Sequence, residues 1–207
     1  MSATVASPPV RPADRRPGSV TAEDYLRFEE NSVEKHEWFD GEVRQMPGVS
    51  AEHAVISQRI AELLGSIYAG RGFLCFSPDI KVRIPEGPYC YADGSIAELP
   101  ARFESPIRSG GKRTVLLNPA VIVEVLSDST AATDRGEKLD GYRTIPSLTD
   151  YLLFSQDGPE VEHHRREPGG EWERIALSGP EAVATLSAAG ATFKLGDVYS
   201  VLDGLAR

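Results

Sequence analysis

The chain has 207 residues, 41% of them hydrophobic and 26% charged, with a formal net charge of −9. That length suits one domain with a sizeable core, and no stretch approaches the ~20 consecutive apolar residues of a membrane span. The acidic balance excludes a protein that holds nucleic acid by bulk charge alone; such a role requires a local positive patch or metal ions.

Residues 1–19 are rich in Pro, Ala, Ser and Arg. They hold too few large apolar side chains to offset the entropy of ordering and read as a disordered tail ahead of a domain over 20–207. They contain no apolar h-region, so no secretory signal is expected and a cytoplasmic location follows by default. Structure is expected from Thr21, an N-cap with Asp24 three residues on in a near capping box. Tyr25, Leu26 and Phe28 give that helix its apolar stripe. Asp40-Gly41 between two extended runs predicts a hairpin. Ser50 then caps a second helix over 51–69, with Ile56, Ile60, Leu63, Leu64 and Ile67 on one face and His53 on the same stripe.

Alternation from Ile80 to Ile84 predicts a strand, and "YCYADGSIAEL" another, weakened by Gly94. Residues 100–113 read as a loop. "AVIVEVLS" is a short, nearly continuous apolar run, as expected at a sheet centre. "STAATDRGEKLDGYRTI" predicts a modest helix, in which Gly136 and Gly141 each cost about 1 kcal/mol relative to Ala. A strand over "TDYLLFSQ", a hairpin around Gly169-Gly170, and a strand with a short terminal turn in "ATFKLGDVYSVLDGL" complete the order. Cys75 and Cys90 sit among apolar and aromatic neighbours without a CxxC pair, and read as packed thiols. The mixed succession of helices and strands predicts a mixed α+β (α/β) fold on one central sheet.

One residue interrupts the pattern. In a strand, Val121, Val123 and Val125 point one way while Ile122, Glu124 and Leu126 point the other. Glu124 thus shares a face with two apolar residues, where an isolated carboxylate costs several kcal/mol unless a cation sits beside it. That cation could be a lysine, an arginine or a metal. Asp93 lies in a neighbouring strand-like run, and two converging carboxylates invite a divalent ion; an all-oxygen site suits Mg²⁺ or Mn²⁺. Asp134, Lys138 and Tyr142 share a helix face at i, i+4 spacing, so Lys138 can approach Glu124 if that face meets the sheet. Two acids, a metal and a lysine can hydrolyse a phosphodiester.

These residues carry a resemblance. "HEWFDGEVRQMPGVSAEHAVISQRIAELL", "YCYADGSI", "NPAVIVEVLSDSTAATDRGEKLDGYRTIPSLTDYLLF" and "FKLGDVYSVLDGL" are similar to the Uma family of predicted restriction-endonuclease-like proteins, within the PD-(D/E)XK nuclease superfamily. The resemblance implies a restriction-endonuclease-like fold, a central mixed β-sheet flanked by helices and carrying extra β-hairpins, with a Mg²⁺-dependent nuclease site. It implies Asp93 as the first acid, Glu124 as the second, and the Val125 backbone carbonyl as a further metal ligand. Glu42 and His53 fall at positions that sit at the rim of such a site. The sequence departs from the motif where Ala92 stands for its proline, where Leu126 stands for its lysine, which hands the lysine role to Lys138, and where Gly94 and Ser95 replace bulkier strand residues.

Each residue has a plainer reading. Glu124 is a structural acid paired with Arg or Lys; Asp93 belongs to a bulge or turn; Lys138 pairs with Asp134 on a solvated face. His53 is a satisfied helix-start histidine, Glu42 a solvated hairpin residue, and Tyr142 a packed tyrosine with its hydroxyl bonded. Adjacent His163 and His164 face opposite ways in a strand and do not share a metal. The leading expectation is a metal-dependent endonuclease acting on nucleic acid, DNA first, with Asp93, Glu124 and Lys138 as its catalytic set. The main alternative is a binding or assembly module on the same fold that has lost hydrolysis, which the charge of −9, Ala92 and Leu126 favour. A hydrolase of a small phosphorylated ligand is a third. Apolar strand edges in "TDYLLF" and "TFKLGDVYSVL" suggest a homodimer.

Overall fold

The computed structural model describes residues 19–107 and 111–205; most of the expected tail lies outside them. Thr21 caps helix α1 (Ala22–Glu29) by accepting from Asp24 N–H. Strands β1 (His36–Phe39) and β2 (Glu42–Gln45) form the expected hairpin. Asp40 and Gly41 both take positive φ, 49° and 99°, as a two-residue turn between twisted strands requires. Ser50 Oγ accepts from His53 N–H at 3.0 Å and starts α2 (Ala51–Tyr68). Next come β3 (Phe73–Phe76), β4 (Lys81–Arg83), β5 (Tyr89–Tyr91), β6 (Gly94–Glu98), β7 (Val115–Leu116) and β8 (Pro119–Leu126). The helix after β8 comprises α3 (Ala131–Thr133), a π-helical turn over Asp134–Lys138, and α4 (Leu139–Tyr142). Strands β9 (Asp150–Ser155), β10 (Glu160–Arg166), β11 (Trp172–Ser178), β12 (Val183–Thr185) and β13 (Thr192–Lys194) precede a short α5 (Leu195–Tyr199).

The fold is mixed α+β with mixed sheets flanked by helices. The central sheet has the order β11-β10-β9-β8-β6-β3, with β8 and β9 parallel and its other pairs antiparallel. Strand β8 is buried along its whole length, as its continuous apolar run demands. A second sheet, β2-β1-β5-β4-β7, and a β12-β13 ribbon depart from the single sheet expected. The reason lies at Ala92-Asp93. The run expected as one strand divides there: β5 pairs with β1 and β4, whereas β6 pairs with β3 and β8.

Period-two alternation along β8 separates two cores. Val121, Val123 and Val125 pack with Ile56, Ile60, Leu64 and Tyr68 of α2. Ile122 and Leu126 pack with Leu139 and Tyr142 of the following helix and with Phe39, Val82, Ile84 and Cys90 of the second sheet. Glu124 therefore enters a layer closed on both sides, and is only 4% exposed. The helix approaches the second sheet closely: a Cβ on Gly141 would stand 2.6 Å from Ile84 Cδ1.

Three expectations fail in detail. "TDYLLF" offers no edge, because β9 lies between β8 and β10, and its apolar character reflects burial on both faces. Cys75 is exposed on the edge strand β3 rather than packed, whereas Cys90 is buried. The pair of Lys138 with Asp134 exists at 3.3 Å, but inside the protein instead of on a solvated face.

Candidate active site

The site forms where β5 and β6 part. Asp93 stands between them, beside the stretch of β8 that β6 no longer covers. Pairing of β6 with β8 reaches Gly94 opposite Val123, which leaves the Val125 N–H to another acceptor. Asp93 Oδ2 accepts it at 2.7 Å, so the side chain continues the ladder its backbone has left. Asp93 N–H faces Glu124 Oε2 at 3.3 Å, and Asp93 Oδ1 lies 3.0 Å from His53 Nε2. A carboxylate only accepts, so His53 donates through Nε2 and its Nδ1 is left bare.

Lys138 reaches the opposite side of Glu124. Its Nζ lies 3.1 Å from Glu124 Oε1, 3.0 Å from Glu37 Oε1 and 3.3 Å from Asp134 Oδ1, and donates to the Tyr91 carbonyl at 3.2 Å. Tyr142 Oη stands 3.4 Å from Glu124 Oε1. The π-helical turn spans Asp134 to Lys138 and turns both inward; such turns recur at functional sites. The ammonium is only 5% exposed and its donors are engaged. It thereby fixes the position of Glu124.

The charges do not balance locally. The carboxyls of Glu37, Glu124 and Asp134 gather around Lys138, and Asp93 lies beyond Glu124 with His53 on its far side. Burial pushes the Glu124 carboxyl well above the usual carboxylate range; Lys138 opposes this, and Asp134, Asp93 and Glu37 add to it. Burial works to lower the Lys138 ammonium, but Glu124 and Glu37 foremost hold it well above its ordinary value. Lys138 keeps its proton, and the surplus negative charge favours either a proton on Glu124 or a further cation beside it.

Of the residues singled out in the sequence, Asp93, Glu124, Lys138, His53, Tyr142 and the Val125 backbone come together. Glu42 does not join them: it is exposed on β2, where Arg44 pairs with it at 2.8 Å. Two acids were missed. Glu37 on β1 touches Lys138 and also accepts from Tyr91 N–H at 2.9 Å. Glu29 at the end of α1 accepts from Tyr91 Oη at 2.9 Å and from His36 N–H at 2.9 Å. Glu37 carried a signal of the kind that exposed Glu124, since it alternates with Phe39, which is 2% exposed. His163 and His164 take separate partners, Asp150 at 2.8 Å and Arg143 at 3.2 Å, as opposite faces require.

Of these acids, Asp93 borders open space. A cavity of about 580 Å³ opens between α2 and the segments 33–35 and 46–49 that flank the β1–β2 hairpin, with Asp93 and His53 on its wall. Among the described residues no three acids, histidines or cysteines form a ready metal-ligand sphere. The donor set nevertheless fits a hard divalent ion: the Asp93 carboxylate, Glu124 Oε2 and the Val125 carbonyl are all oxygens, in a cluster with surplus negative charge.

The chain is similar to several known proteins. Two uncharacterized proteins of Synechocystis sp., sll1609 and slr1290, are 34% and 32% identical to the chain over 164 and 181 residues. Those matches cover 79% and 87% of this chain, and 90% and 91% of the relatives. A crystal structure described as "a putative nuclease belonging to DUF820", from Anabaena variabilis, shares the fold with a TM-score of 0.71 at 17% identity, over 88% of this chain and 99% of that one. The family model for Uma2, "Putative restriction endonuclease", matches residues 22–196, and the chain belongs to that family.

Proposed function

We propose that the protein is a metal-dependent nuclease that hydrolyses phosphodiester bonds in nucleic acid, DNA first, with Asp93, Glu124 and the Val125 carbonyl holding Mg²⁺ or Mn²⁺. The observation that carries this reading is the convergence of Asp93 and Glu124, one at the cavity wall and one behind it, in a cluster whose carboxyls exceed its ammonium. Family membership supports the same chemistry. The ion supplies an activated water and charge neutralisation at phosphorus when bound. Glu124 is held in place by Lys138 and Tyr142, and Asp93 by His53 and the Val125 N–H. Lys138 acts as a positioning residue, because its donors are already engaged inside the protein. Tyr142 packs and bonds, with burial pushing its phenol well above the ordinary value. A homodimer would bring two such sites into one assembly.

The test is cleavage of supercoiled plasmid and of single-stranded DNA with Mg²⁺ or Mn²⁺, beside Glu124→Gln and Asp93→Asn. Metal-dependent cleavage that both variants abolish is expected. No cleavage, together with no Mn²⁺ binding by titration calorimetry, would instead leave an inactive module on a nuclease fold, the reading that the net charge of −9 favours.

A further inference from the structure

The cleft beside Asp93 has features that hydrolysis alone does not require. Its mouth is apolar: Val33 is 97% and Val49 62% exposed, and Met46 and Pro47 line the wall between them. Residues that line it or its extension hold buried polar atoms with no protein partner. His53 Nδ1 and Ser57 Oγ lie one turn apart on α2, and Ser95 Oγ lies on β6. Ser57 and Asp93 line both the main cleft and an extension of about 190 Å³, in which Ser95 also takes part. Buried polar atoms without partners are uncommon, and three around one cleft call for a polar occupant.

Charge narrows what that occupant is. Among the described residues, Lys35 is the one lysine or arginine lining the main cleft, and it is engaged already, 2.7 Å from Asp79 and donating to the Pro78 carbonyl at 3.0 Å. Glu34 lies beside it on the same wall. Duplex binding draws on many phosphate contacts by cations, which the described lining of this cleft does not offer. An unpaired nucleotide presents something else: a flat apolar face, and edge donors and acceptors that pairing would otherwise occupy. The volume falls in the range of ~300–1,000 Å³ typical of sites for small organic groups.

We propose that the cleft receives the base and sugar of an unpaired nucleotide, so that the site acts on single strands and on unpaired flaps in preference to intact duplex. The proposal rests on Asp93 and Glu124 forming a phosphodiesterase site. The mouth residues cover the base face, and the Ser57 and Ser95 hydroxyls meet its polar edge. His53 donates to Asp93 through Nε2, and its Nδ1 has no protein partner.

The test uses the full chain with Mn²⁺ and four end-labelled substrates of one sequence: single-stranded DNA, blunt duplex, duplex with an unpaired flap, and single-stranded RNA. Single-stranded and flap substrates are expected to be cut faster than blunt duplex by about tenfold or more. Ala54→Leu, on an exposed position of α2 at the cleft, should shrink that ratio. Blunt duplex cut as fast as single strands, with the activity lost in Glu124→Gln, would overturn the proposal and leave the nuclease reading standing. No metal-dependent cleavage of any substrate would sink both. If Ala54→Leu does not fold, the wild-type ratio decides alone. The DNA and RNA arms separate the two sources of an unpaired strand.

Discussion

Replacing Lys138 with Met measures how far the cluster depends on its one central cation. The ammonium is 5% exposed and lies between 3.0 and 3.3 Å from Glu37, Glu124, Asp134 and the Tyr91 carbonyl. Met fills a similar volume but takes the charge away from three buried carboxyls. Breaking a buried ion pair from one side typically costs ~3–5 kcal/mol, because the remaining charge has no compensation. Domains of this size carry ~5–15 kcal/mol in total, so Lys138→Met should lose a large share of the stability. Urea unfolding at neutral pH gives the value if the transition is two-state. Glu124→Gln removes one of the acids that Lys138 holds, so the double variant should be less destabilised than the sum of the singles by ~1–3 kcal/mol. A Lys138→Met cost under ~1 kcal/mol, with additive singles, would refute the reasoning: it is what a solvated lysine gives.

Three further outcomes follow from the geometry. If Asp93 and Glu124 hold Mn²⁺, the wild-type unfolding midpoint should climb with ion concentration, by the equivalent of ~2.7 kcal/mol at a hundredfold excess over Kd; Asp93→Asn should show no such climb, and a flat wild-type curve counts against the site. Burial foremost, and then Arg143, pushes the His164 imidazole down to about 4. The unfolded chain takes up that proton near ~6.5 and the folded chain only near the lower value, so stability should fall as pH drops through that window, by up to ~3 kcal/mol; His164→Phe should flatten this part of the profile, and an unchanged slope would contradict it. Gly41 has φ of +99°, and a Cβ there would stand 2.5 Å from Ser19 Cβ; Gly41→Ala should cost ~1–2 kcal/mol by urea unfolding, and a neutral result would argue against the turn.

Local signals were readable in the chain where one element determines its own form. Ser50 and Thr21 cap because their hydroxyls meet free helix N–H groups, and Asp40-Gly41 turns because its φ values demand it. The alternation that put Glu124 on the face away from α2 is likewise a property of one strand. The split at Ala92-Asp93 was not readable, since it depends on which distant strands claim Tyr91 and Gly94. Glu42 drew attention as the acid after the turn, whereas Glu37 is the acid that enters the core. Strand position decides this: the register puts both acids on one face, Glu42 opposite Phe39, but β1 lies inside its sheet between β2 and β5 whereas β2 is the edge. The short strands β7 and β12 have two and three residues, too few for any period to show.

The split also accounts for the placement of the site. Tyr91 supplies its carbonyl to Lys138, its N–H to Glu37 and its hydroxyl to Glu29, while Asp93, two residues on, supplies its carboxylate to His53 and Val125 and its N–H to Glu124. One short segment thus joins both sheets, α2 and the helix after β8. Strands that diverge leave backbone groups without ladder partners, and polar side chains are drawn in to meet them. Asp93 is needed at that gap for folding whether or not it binds an ion. Asp93→Asn can keep one acceptor for the Val125 N–H while losing the charge that His53 and a cation would meet. Its effect should therefore be small on stability and large on ion binding, and a large loss of both would assign Asp93 to the fold alone.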